Sequence, residues 1–162
     1  MAKREGVTVY VGQKAARVKC WLDGTKEPVR LSLGGADFEV KHEDTPEATL
    51  RALAKAVNEH PGVKKIATAK VRPATTEKPL VIEITAETAG AEGNKIPARA
   101  TGALHDEGFG TLVRGSDEWF YVAAVAWDGK GVTERVLADT PSSAQALQLA
   151  TMELKNRFGR RL

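Results

Sequence analysis

The residues of this chain whose side chains are able to do chemistry are few and widely spaced. Of the three histidines, His42, His60 and His105, only His42 has neighbouring carboxylates, those of Glu43 and Asp44. Such a group offers metal ligands, but a zinc site requires closely spaced ligand pairs and a second cluster, which the sequence lacks. We therefore expect His42 to lie at a solvated strand end, and we predict neither a metal site nor a cofactor.

The sequence also lacks a recognisable nucleophile. Cys20 is the only cysteine, and it lies in the alternating apolar and polar segment 16–22, so we predict a buried strand thiol. Residues 108–115 begin like a dinucleotide-binding glycine motif, but the third glycine is out of register and no helix pattern follows. We therefore predict that the protein is not an enzyme. A small hydrolase is the third alternative, and it requires a pocket lined by His42 or His105 with a carboxylate within hydrogen-bonding distance.

The charge balance does not predict a nucleic-acid-binding protein. The chain has 24 lysines and arginines against 21 aspartates and glutamates, a net charge of +3, whereas phosphate binding requires basic groups concentrated on one face. Cations at a helix end are also expected from the helix dipole alone. The candidate basic contacts are Lys64 and Lys65 near a predicted strand, and Arg157, Arg160 and Arg161 at the end of the chain.

Nucleic-acid binding is kept as the alternative function because the last module, short strands followed by an alanine-rich helix, resembles a double-stranded-RNA-binding domain. That family places lysines at the start of the helix, where they meet phosphates. The matching positions here are Ser142, Ser143 and Gln145, which carry no positive charge. The resemblance therefore lacks the residues that would bind, and nucleic acid is not an expected partner.

The start of the chain and its hydropathy indicate where the protein is made. Residues 1–6 lead into no apolar segment of the kind found in signal peptides, and no run approaches the length that spans a membrane. We therefore expect synthesis in a reducing cytoplasm and no membrane partner.

The first part of the sequence predicts strands followed by a helix. Gly12 interrupts the alternation after the first strand, and the Asp23-Gly24 and Gly34-Gly35 pairs predict turns. Thr45 is a suitable N-cap with Pro46 at the first helical position, and the helix should end before Pro61. The predicted strands cover residues 7–11, 17–22, 29–33 and 37–41, and the buried helical stripe is Leu50, Leu53, Ala54 and Val57.

The second part predicts two further strands, a long loop, a hairpin and a last helix. The Gly- and Ala-rich segment 89–115 lacks periodicity, so we expect a loop that forms the boundary between modules. The last helix should open at Thr140-Pro141 and end at Gly159. The strands are expected at 63–71, 81–88, 119–127 and 132–137, and the buried stripe of the last helix at Ala144, Leu147, Ala150, Leu154 and Phe158.

Together these elements predict an α+β fold of two ββα-like units, with mainly antiparallel sheets that each pack on one helix. The predicted domains are a β-rich module with one helix, residues 1–115, and a β-hairpin plus C-terminal helix, residues 116–162. Both helices follow the tripeptide Asp-Thr-Pro. Independent use of a favourable strand-to-helix junction explains this repeated tripeptide, and a true duplication stays open as the alternative.

Residues 37–96 resemble a module of tailed-phage structural proteins. The helix segment 49–58 ends in Ala-Val-Asn, two strands follow, and the second leads into the turn Thr-Ala-Gly-Ala-Glu-Gly-Asn-Lys-Ile at 88–96. Contractile tail sheath proteins and related tail proteins share this helix-strand-strand arrangement and its Gly-Asn turn. A whole sheath protein is far longer and carries extended terminal arms, so the resemblance implies a small particle component with a sheath-like module.

The function implied by the resemblance is that of a non-enzymatic structural subunit of a tailed-phage virion, acting by self-assembly. A tail sheath-like, collar, tail-completion or baseplate-adjacent protein fits this class, and a capsid decoration protein is an alternative. The resemblance also implies a virion location after synthesis in the host cytoplasm. The implied partners are further copies of the chain, in a ring or a particle-bound oligomer, and other phage tail or head proteins.

Two sets of residues are the candidates for turns and assembly. Glycine and asparagine adopt positive φ at low cost and redirect the chain after a strand. Aromatic residues that alternate with Phe120 and Val122 predict an uncovered aromatic face for a partner. The candidates are Gly90, Gly93, Asn94, Trp119, Tyr121 and Trp127.

Sheet edges are the second expected means of association. An unpaired edge binds another strand through main-chain hydrogen bonds, and rings of copies would bury such edges. The opposite interpretation, that residues 89–115 cover the edges within one chain, stays open at this point.

Overall fold

Residues 4–158 are described by a computed structural model of the protein. Within this range the chain has two α-helices and mainly antiparallel sheets, which confirms the predicted α+β fold class. A short 3₁₀ helix, Ala91–Lys95, follows the sixth strand. The other elements are β1 (Arg4–Lys14), β2 (Arg17–Leu22), β3 (Val29–Leu33), β4 (Ala36–Val40), α1 (Pro46–Glu59), β5 (Ala67–Arg72), β6 (Val81–Ala86), β7 (Ala98–Gly102), β8 (Leu104–His105), β9 (Ser116–Trp127), β10 (Val132–Thr140) and α2 (Ser143–Phe158).

The chain divides into two compact units, which we call the central unit and the terminal unit. The central unit is Lys14–Ser116, and the terminal unit combines Met1–Gln13 with Asp117–Leu162. These units differ from the expected domains, 1–115 and 116–162, because the first strand belongs to the terminal unit. Strand β1 groups with the terminal unit because it pairs with β9.

The central unit is built from α1 and two sheets, with strand orders β5-β6-β2-β8 and β4-β3-β7. Strand β3 shows the expected period of two, since Val29, Leu31 and Leu33 are buried and the residues between them are exposed. Gly34 and Gly35 reverse the chain into β4 with φ values of 58° and 86°. The hairpin prediction is therefore confirmed.

Helix α1 begins and ends where the sequence predicts. The Thr45 hydroxyl oxygen accepts a hydrogen bond from the Ala48 N–H at 3.1 Å, and Pro46 occupies the first turn. His60 leaves the helix with extended backbone angles because Pro61 follows it. The predicted stripe faces the core, with all four members buried.

The strand predicted at 63–71 begins later than expected. The His60 ring nitrogen Nδ1 accepts hydrogen bonds from the N–H groups of Gly62 at 3.2 Å and Val63 at 3.1 Å. These bonds and the main-chain bonds that follow them hold residues 61–66 in successive turns, and pairing with β6 starts only at Ala67. Residues 63–66 were therefore wrongly assigned to a strand.

The prediction of a long loop over 89–115 is wrong. This segment contains the 3₁₀ helix and strands β7 and β8, and Ala98, Ala103, Leu104 and Leu112 belong to the core of the central unit. Strand β7 pairs with β3 over five residues, from Ala98 to Gly102. The segment is part of the central unit and does not separate two modules.

The terminal unit consists of the sheet β1-β9-β10 and helix α2. Strand β1 is eleven residues long and continues through Gly12, so the predicted interruption is wrong. Gly12 lies beneath the Tyr121 ring, and a Cβ there would be 3.0 Å from that ring. The glycine therefore permits close packing on β9 without ending the strand.

Helix α2 buries a different face from the one predicted. Its core contacts come from Ala146 and Ala150 against Val122 of β9, with Leu149 partly buried beside them. Of the predicted stripe, Ala150 is buried, whereas Leu147 is 62% and Leu154 is 40% exposed. The core face of α2 is therefore formed by Ala146 and Ala150 with part of Leu149.

The ends of α2 also differ from the prediction. Strand β10 continues through Thr140, and the helix begins at Ser143, where the Ser142 hydroxyl oxygen accepts from the Gln145 N–H at 3.3 Å. The cap is therefore Ser142 and not Thr140. The predicted end at Gly159 lies outside the described residues. Over residues 4–158, no helix is both long and apolar enough to cross a membrane.

Candidate functional site

The turn that carries the phage-like motif lies in the central unit and contacts its own chain. The Asn94 amide donates to the Gly115 carbonyl at 2.9 Å and accepts from the Gly115 N–H at 2.8 Å. A Cβ at Gly93 would lie 2.7 Å from that of Ala86, and Gly90 has a φ of 108°. Packing within the chain therefore explains why Gly90, Gly93 and Asn94 have these identities. Their role in assembly stays a prediction.

Asn58, at the end of the motif helix, uses its amide in the same way. Its Nδ2 donates to the Ala69 carbonyl and its Oδ1 accepts from the Ala69 N–H, both at 2.8 Å. Ala69 lies on β5, which ends the strand order of its sheet. The side chain thus pairs with the outer edge of β5 as a neighbouring strand would. In the sequence, only the Ala-Val-Asn ending of the helix indicates that Asn58 pairs with a strand edge, and the sequence analysis did not predict this role.

The outer edge of β7 is covered by the residues that follow it. The Ala100 N–H donates to the Asp106 carboxylate at 2.7 Å, and the Ala98 N–H donates to the Gly110 carbonyl at 3.0 Å. For β7, the interpretation that residues 89–115 cover an edge within one chain is therefore correct.

The terminal sheet presents one face to α2 and an aromatic face on the other side. Phe120 and Val122 pack towards the helix, so the residues that alternate with them on β9 point away from it. The aromatic face consists of Tyr10, Trp119, Tyr121 and Trp127. The three candidate residues on β9 are partly exposed, and Tyr10 is 38% exposed.

The side chains of the aromatic face are held in place by polar contacts. The Tyr10 and Tyr121 rings stack with centroids 5.2 Å apart, and the Tyr121 hydroxyl donates to the Gln13 carbonyl at 3.3 Å. The Trp119 indole N–H donates to Asp139 at 3.0 Å. Burial against its neighbours, and then the Glu134 carboxylate, raise the pKa of Tyr10. The face is therefore ordered, and its binding to a partner stays a prediction.

Strand β10 is the edge of the terminal sheet on the side away from β1. Residues 132–136 are exposed, and the side chains of Val132 and Val136 are 64% and 47% exposed. The register with β9 shifts between Val136 and Ala138, which marks a bulge at Leu137. The regular part of this edge therefore ends at Val136.

The candidate basic residues that the structure describes are divided between the two units. Lys64 and Lys65 are exposed in the turns before β5, in the central unit. Arg157 lies on α2 in the terminal unit and pairs with Glu153 at 3.1 Å. Arg160 and Arg161 lie outside the described residues. An arginine paired with a carboxylate is a poorer phosphate ligand than a free one.

The histidines serve the chain's own structure. His42 is exposed after β4, as expected, and its Nε2 lies 2.6 Å from the Glu27 carbonyl oxygen. His105 Nε2 lies 2.8 Å from Asp23, and its ring stacks on Trp21. Over residues 4–158, no group of histidine, cysteine and carboxylate side chains is arranged to hold a metal ion.

A groove of the central unit contains one of these histidines together with a carboxylate, that of Glu43. It has a volume of about 830 Å³, and His42 lines it but His105 does not. The hydroxyl of Thr49, which also lines it, donates to the Thr45 carbonyl at 3.2 Å. Cys20 is buried as predicted, and burial raises the pKa of its thiol to about 12, which disfavours the reactive thiolate.

Comparison with known proteins gives neither a family nor a curated relative, since no family model matches the chain and no curated protein matches it. Among solved structures, the chain is similar to the D2-D3 domains of the flagellar cap protein FliD from Serratia marcescens, with 17% identity and a TM-score of 0.36 over 88% of this chain and 90% of that one. It is also similar to the D1-D2-D3 domains of FliD from Escherichia coli, with 11% identity and a TM-score of 0.41 over 98% of this chain and 56% of that one.

The predicted virion location is contradicted by these comparisons. The similar structures are flagellar cap proteins, which are parts of the bacterial flagellum, and neither is a phage protein. The phage-specific part of the resemblance has no counterpart among them.

Proposed function

We propose that this protein is a non-catalytic structural subunit that associates with further copies of itself through β10, one of the two outer strands of its terminal sheet. Strand β10 carries the proposal, because it ends the strand order and its first five residues are exposed. An edge strand presents main-chain N–H and C=O groups with which another strand pairs.

The contrast between the two units supports this choice of edge. In the central unit, Asn58 occupies the edge of β5, and Asp106 and Gly110 bond to β7. Strand β10 instead presents two exposed valines, Val132 and Val136. Glu134 and Arg135 between them place charges of both signs on the same strand, which limits pairing with unrelated edges.

Replacing Val136 with lysine tests the proposal. Because Val136 is 47% exposed, the Val136→Lys variant should fold, but a charge at the strand edge should oppose pairing. We expect sedimentation velocity to show oligomers for the unaltered protein and a shift to monomer for the variant. Phe109→Lys is the matched control, since Phe109 is 56% exposed but lies in the central unit. A protein that is monomeric at all concentrations, or a variant that associates like the unaltered chain, would contradict the proposal.

Strand pairing alone provides a weak contact. An edge of five residues forms only a few hydrogen bonds, each with a net contribution of about 0.5–1.5 kcal/mol. Association costs roughly 4–15 kcal/mol in lost translational and rotational freedom. A stable assembly therefore requires a second contact with additional apolar burial.

A further inference from the structure

Strand β1 is the other outer strand of the terminal sheet. The Arg4 guanidinium carbon lies 5.8 Å from the centre of the Trp127 ring, and Gly12 lies beneath Tyr121, so β1 runs antiparallel to β9. Strand β10 is also antiparallel to β9, and β1 and β10 therefore point the same way on opposite edges. Outside their own sheet, residues 6–12 form no main-chain hydrogen bond with the residues that the structure describes.

Pairing of β10 with β10 of a second copy would bring like charges together. A two-fold axis that pairs all five exposed residues of the segment 132–136 passes through Glu134 and places this carboxylate opposite its own copy. Like charges that lie directly opposite each other destabilise an antiparallel pair. Moving the axis to Arg135 opposes two arginines instead, and moving it to Thr133 leaves only part of the segment paired. The edge is therefore poorly suited to a contact with itself.

Two opposite charges lie on the same face of the terminal sheet, one on each outer strand. Val7 and Val9 of β1 pack towards α2, so Arg4 lies on the aromatic face. Glu134 pairs with Val125 of β9, which is an even number of residues from the aromatic ones, so Glu134 lies on the aromatic face as well. Both residues are exposed, and over residues 4–158 neither forms an ion pair.

A parallel pairing of β10 with β1 brings these charges together. When β1 of a second copy lies alongside β10 with Arg4 next to Glu134, Glu5 comes next to Arg135 on the face towards α2. Opposite charges are then adjacent on both faces of the joined sheet, and they attract each other. Strand β1 thus complements β10 at the positions where a second β10 would repel it.

The same register brings the exposed Val136 next to Gly6. Gly6 lies on the aromatic face, and a Cβ there would have no atom within 4 Å. A cleft of about 450 Å³ opens at this point, with Val125 and Trp127 among its lining residues. A glycine inside a strand often marks a place where another chain approaches closely. The methyl groups of Val136 therefore have space above Gly6, and their burial adds the apolar contact that main-chain bonds lack.

We propose that the terminal sheets of successive copies join into one sheet, with β10 of each copy paired parallel to β1 of the next. The inference rests on the proposed self-association and names the surface that β10 binds. Because the two edges differ, the contact is heterologous and repeats until the copies close into a ring or form a filament. Sedimentation velocity should therefore show species larger than a dimer, and an assembly that ends at the dimer would overturn the inference.

Exchanging the two charges tests the contact. Arg4→Glu and Glu134→Arg each place like charges side by side, and each should raise the apparent dissociation constant roughly threefold or more. An equimolar mixture of the two variants should recover the association, because every β10 can then meet a β1 of opposite charge. Analytical ultracentrifugation measures the constants, and circular dichroism establishes that each variant is folded.

The control for the charge exchange is Arg99→Glu. It makes the same change of charge as Arg4→Glu at an exposed position of the central unit, and it should leave association unchanged. Equal weakening by Arg99→Glu, or a mixture that associates no better than the separate variants, would overturn the pairing of β10 with β1.

Removing one charge distinguishes the two possible partners of β10. Glu134→Gln would strengthen a pair of two β10 strands, since it removes their like-charge contact, whereas the pair of β10 and β1 loses an attraction. We expect the dissociation constant to rise about twofold to fivefold. A fall in the dissociation constant would overturn the pairing with β1.

The two proposals fail in distinguishable ways. If the unaltered chain stays monomeric, the proposed function fails and the pairing with β1 fails with it. If the chain associates and Val136→Lys prevents this, but the mixture of charge variants does not recover association, only the pairing with β1 is overturned.

Discussion

At the scale of single residues, several conspicuous side chains hold the backbone of their own chain. Asn94 pairs with both main-chain groups of Gly115, and Asn58 does the same with Ala69. His60 accepts from two successive N–H groups after α1. Amide and imidazole groups also bind ligands in proteins. Here their hydrogen-bonding capacity is used inside the central unit.

Asp23 predicts a change in stability at acidic pH. Its carboxylate accepts hydrogen bonds from the hydroxyl and the N–H of Thr25 and lies 2.8 Å from His105 Nε2. The Thr25 hydroxyl first, and then His105, lower the pKa of Asp23 from 3.8 to about 2. A lowered pKa in the folded state stabilises the protein above the unfolded value, and this stabilisation is lost as the pH falls from about 4 to about 2.

The Asp23→Asn variant should therefore lose this part of the pH dependence. Urea unfolding between pH 2 and pH 6 should show a shallower fall in stability for the variant than for the unaltered protein. Identical slopes for Asp23→Asn and the unaltered protein would show that Asp23 makes no such contribution.

The residue types alone indicated some of these roles and not others. Cys20 was predicted as buried because it lies at an apolar position of a strongly alternating strand, and it is. The pair of Asp23 and His105 could not be predicted, since 82 residues separate them in sequence. Their contact depends on the pairing of β2 with β8, and a two-residue strand leaves no periodic signal.

At the scale of elements, local signals determined which helix could be predicted in detail. Helix α1 has a capping threonine, a proline in the first turn and a stripe of large apolar residues, so its bounds and its buried face were both correct. In helix α2 the two buried core residues are alanines, whereas Leu147 and Leu154 are exposed. The sequence pattern therefore favoured Leu147 and Leu154, whereas the sheet accommodates the smaller Ala146 and Ala150.

Asn58 provides a test of how an element can protect a sheet edge. Replacing it with alanine leaves the Ala69 N–H and C=O without their side-chain partner, which should cost about 1–3 kcal/mol of unfolding free energy. Urea denaturation measures the change. Asn156→Ala removes an exposed asparagine from α2 and should have little effect. An equal, small effect of both variants would show that water replaces the Asn58 amide without cost.

The phage-like motif also determines how elements of the central unit are joined. Its helix ends at Asn58, which pairs with β5, and its turn ends at Asn94, which pairs with Gly115. The motif therefore describes a way to close a small sheet and its loop within one chain. The fold class was predicted from the periodicity of the strands and helices and is correct, whereas the virion location was implied by the motif and is wrong.

At the scale of the whole molecule, the proposal assigns association to the terminal unit and not to the central one. Residues 14–116 form a contiguous unit with its own core. We therefore expect this segment, expressed alone, to fold and to be monomeric by size-exclusion chromatography with light scattering. A folded oligomer would show that the central unit carries its own contact. An unfolded segment would show that its core requires the terminal unit.

The division of the chain was the least predictable feature. The alternation at 7–11 correctly predicted a strand, but nothing in that segment identifies its partner. Strand β1 pairs with β9, and the whole central unit lies between them in sequence. A pairing of such long range depends on the global fold, whereas turns, caps and hairpins depend on neighbouring residues and were mostly correct.

This separation has a consequence for biosynthesis. Strand β1 ends at Lys14 and its partner begins at Ser116, so the first strand leaves the ribosome about a hundred residues before β9 exists. At typical elongation rates of about 5–20 residues per second, the nascent first strand waits for roughly 5–20 seconds without its partner. During this interval the central unit is still being synthesised, and on a crowded polysome a neighbouring nascent chain that is further advanced offers the same strand β9 that its own has yet to supply.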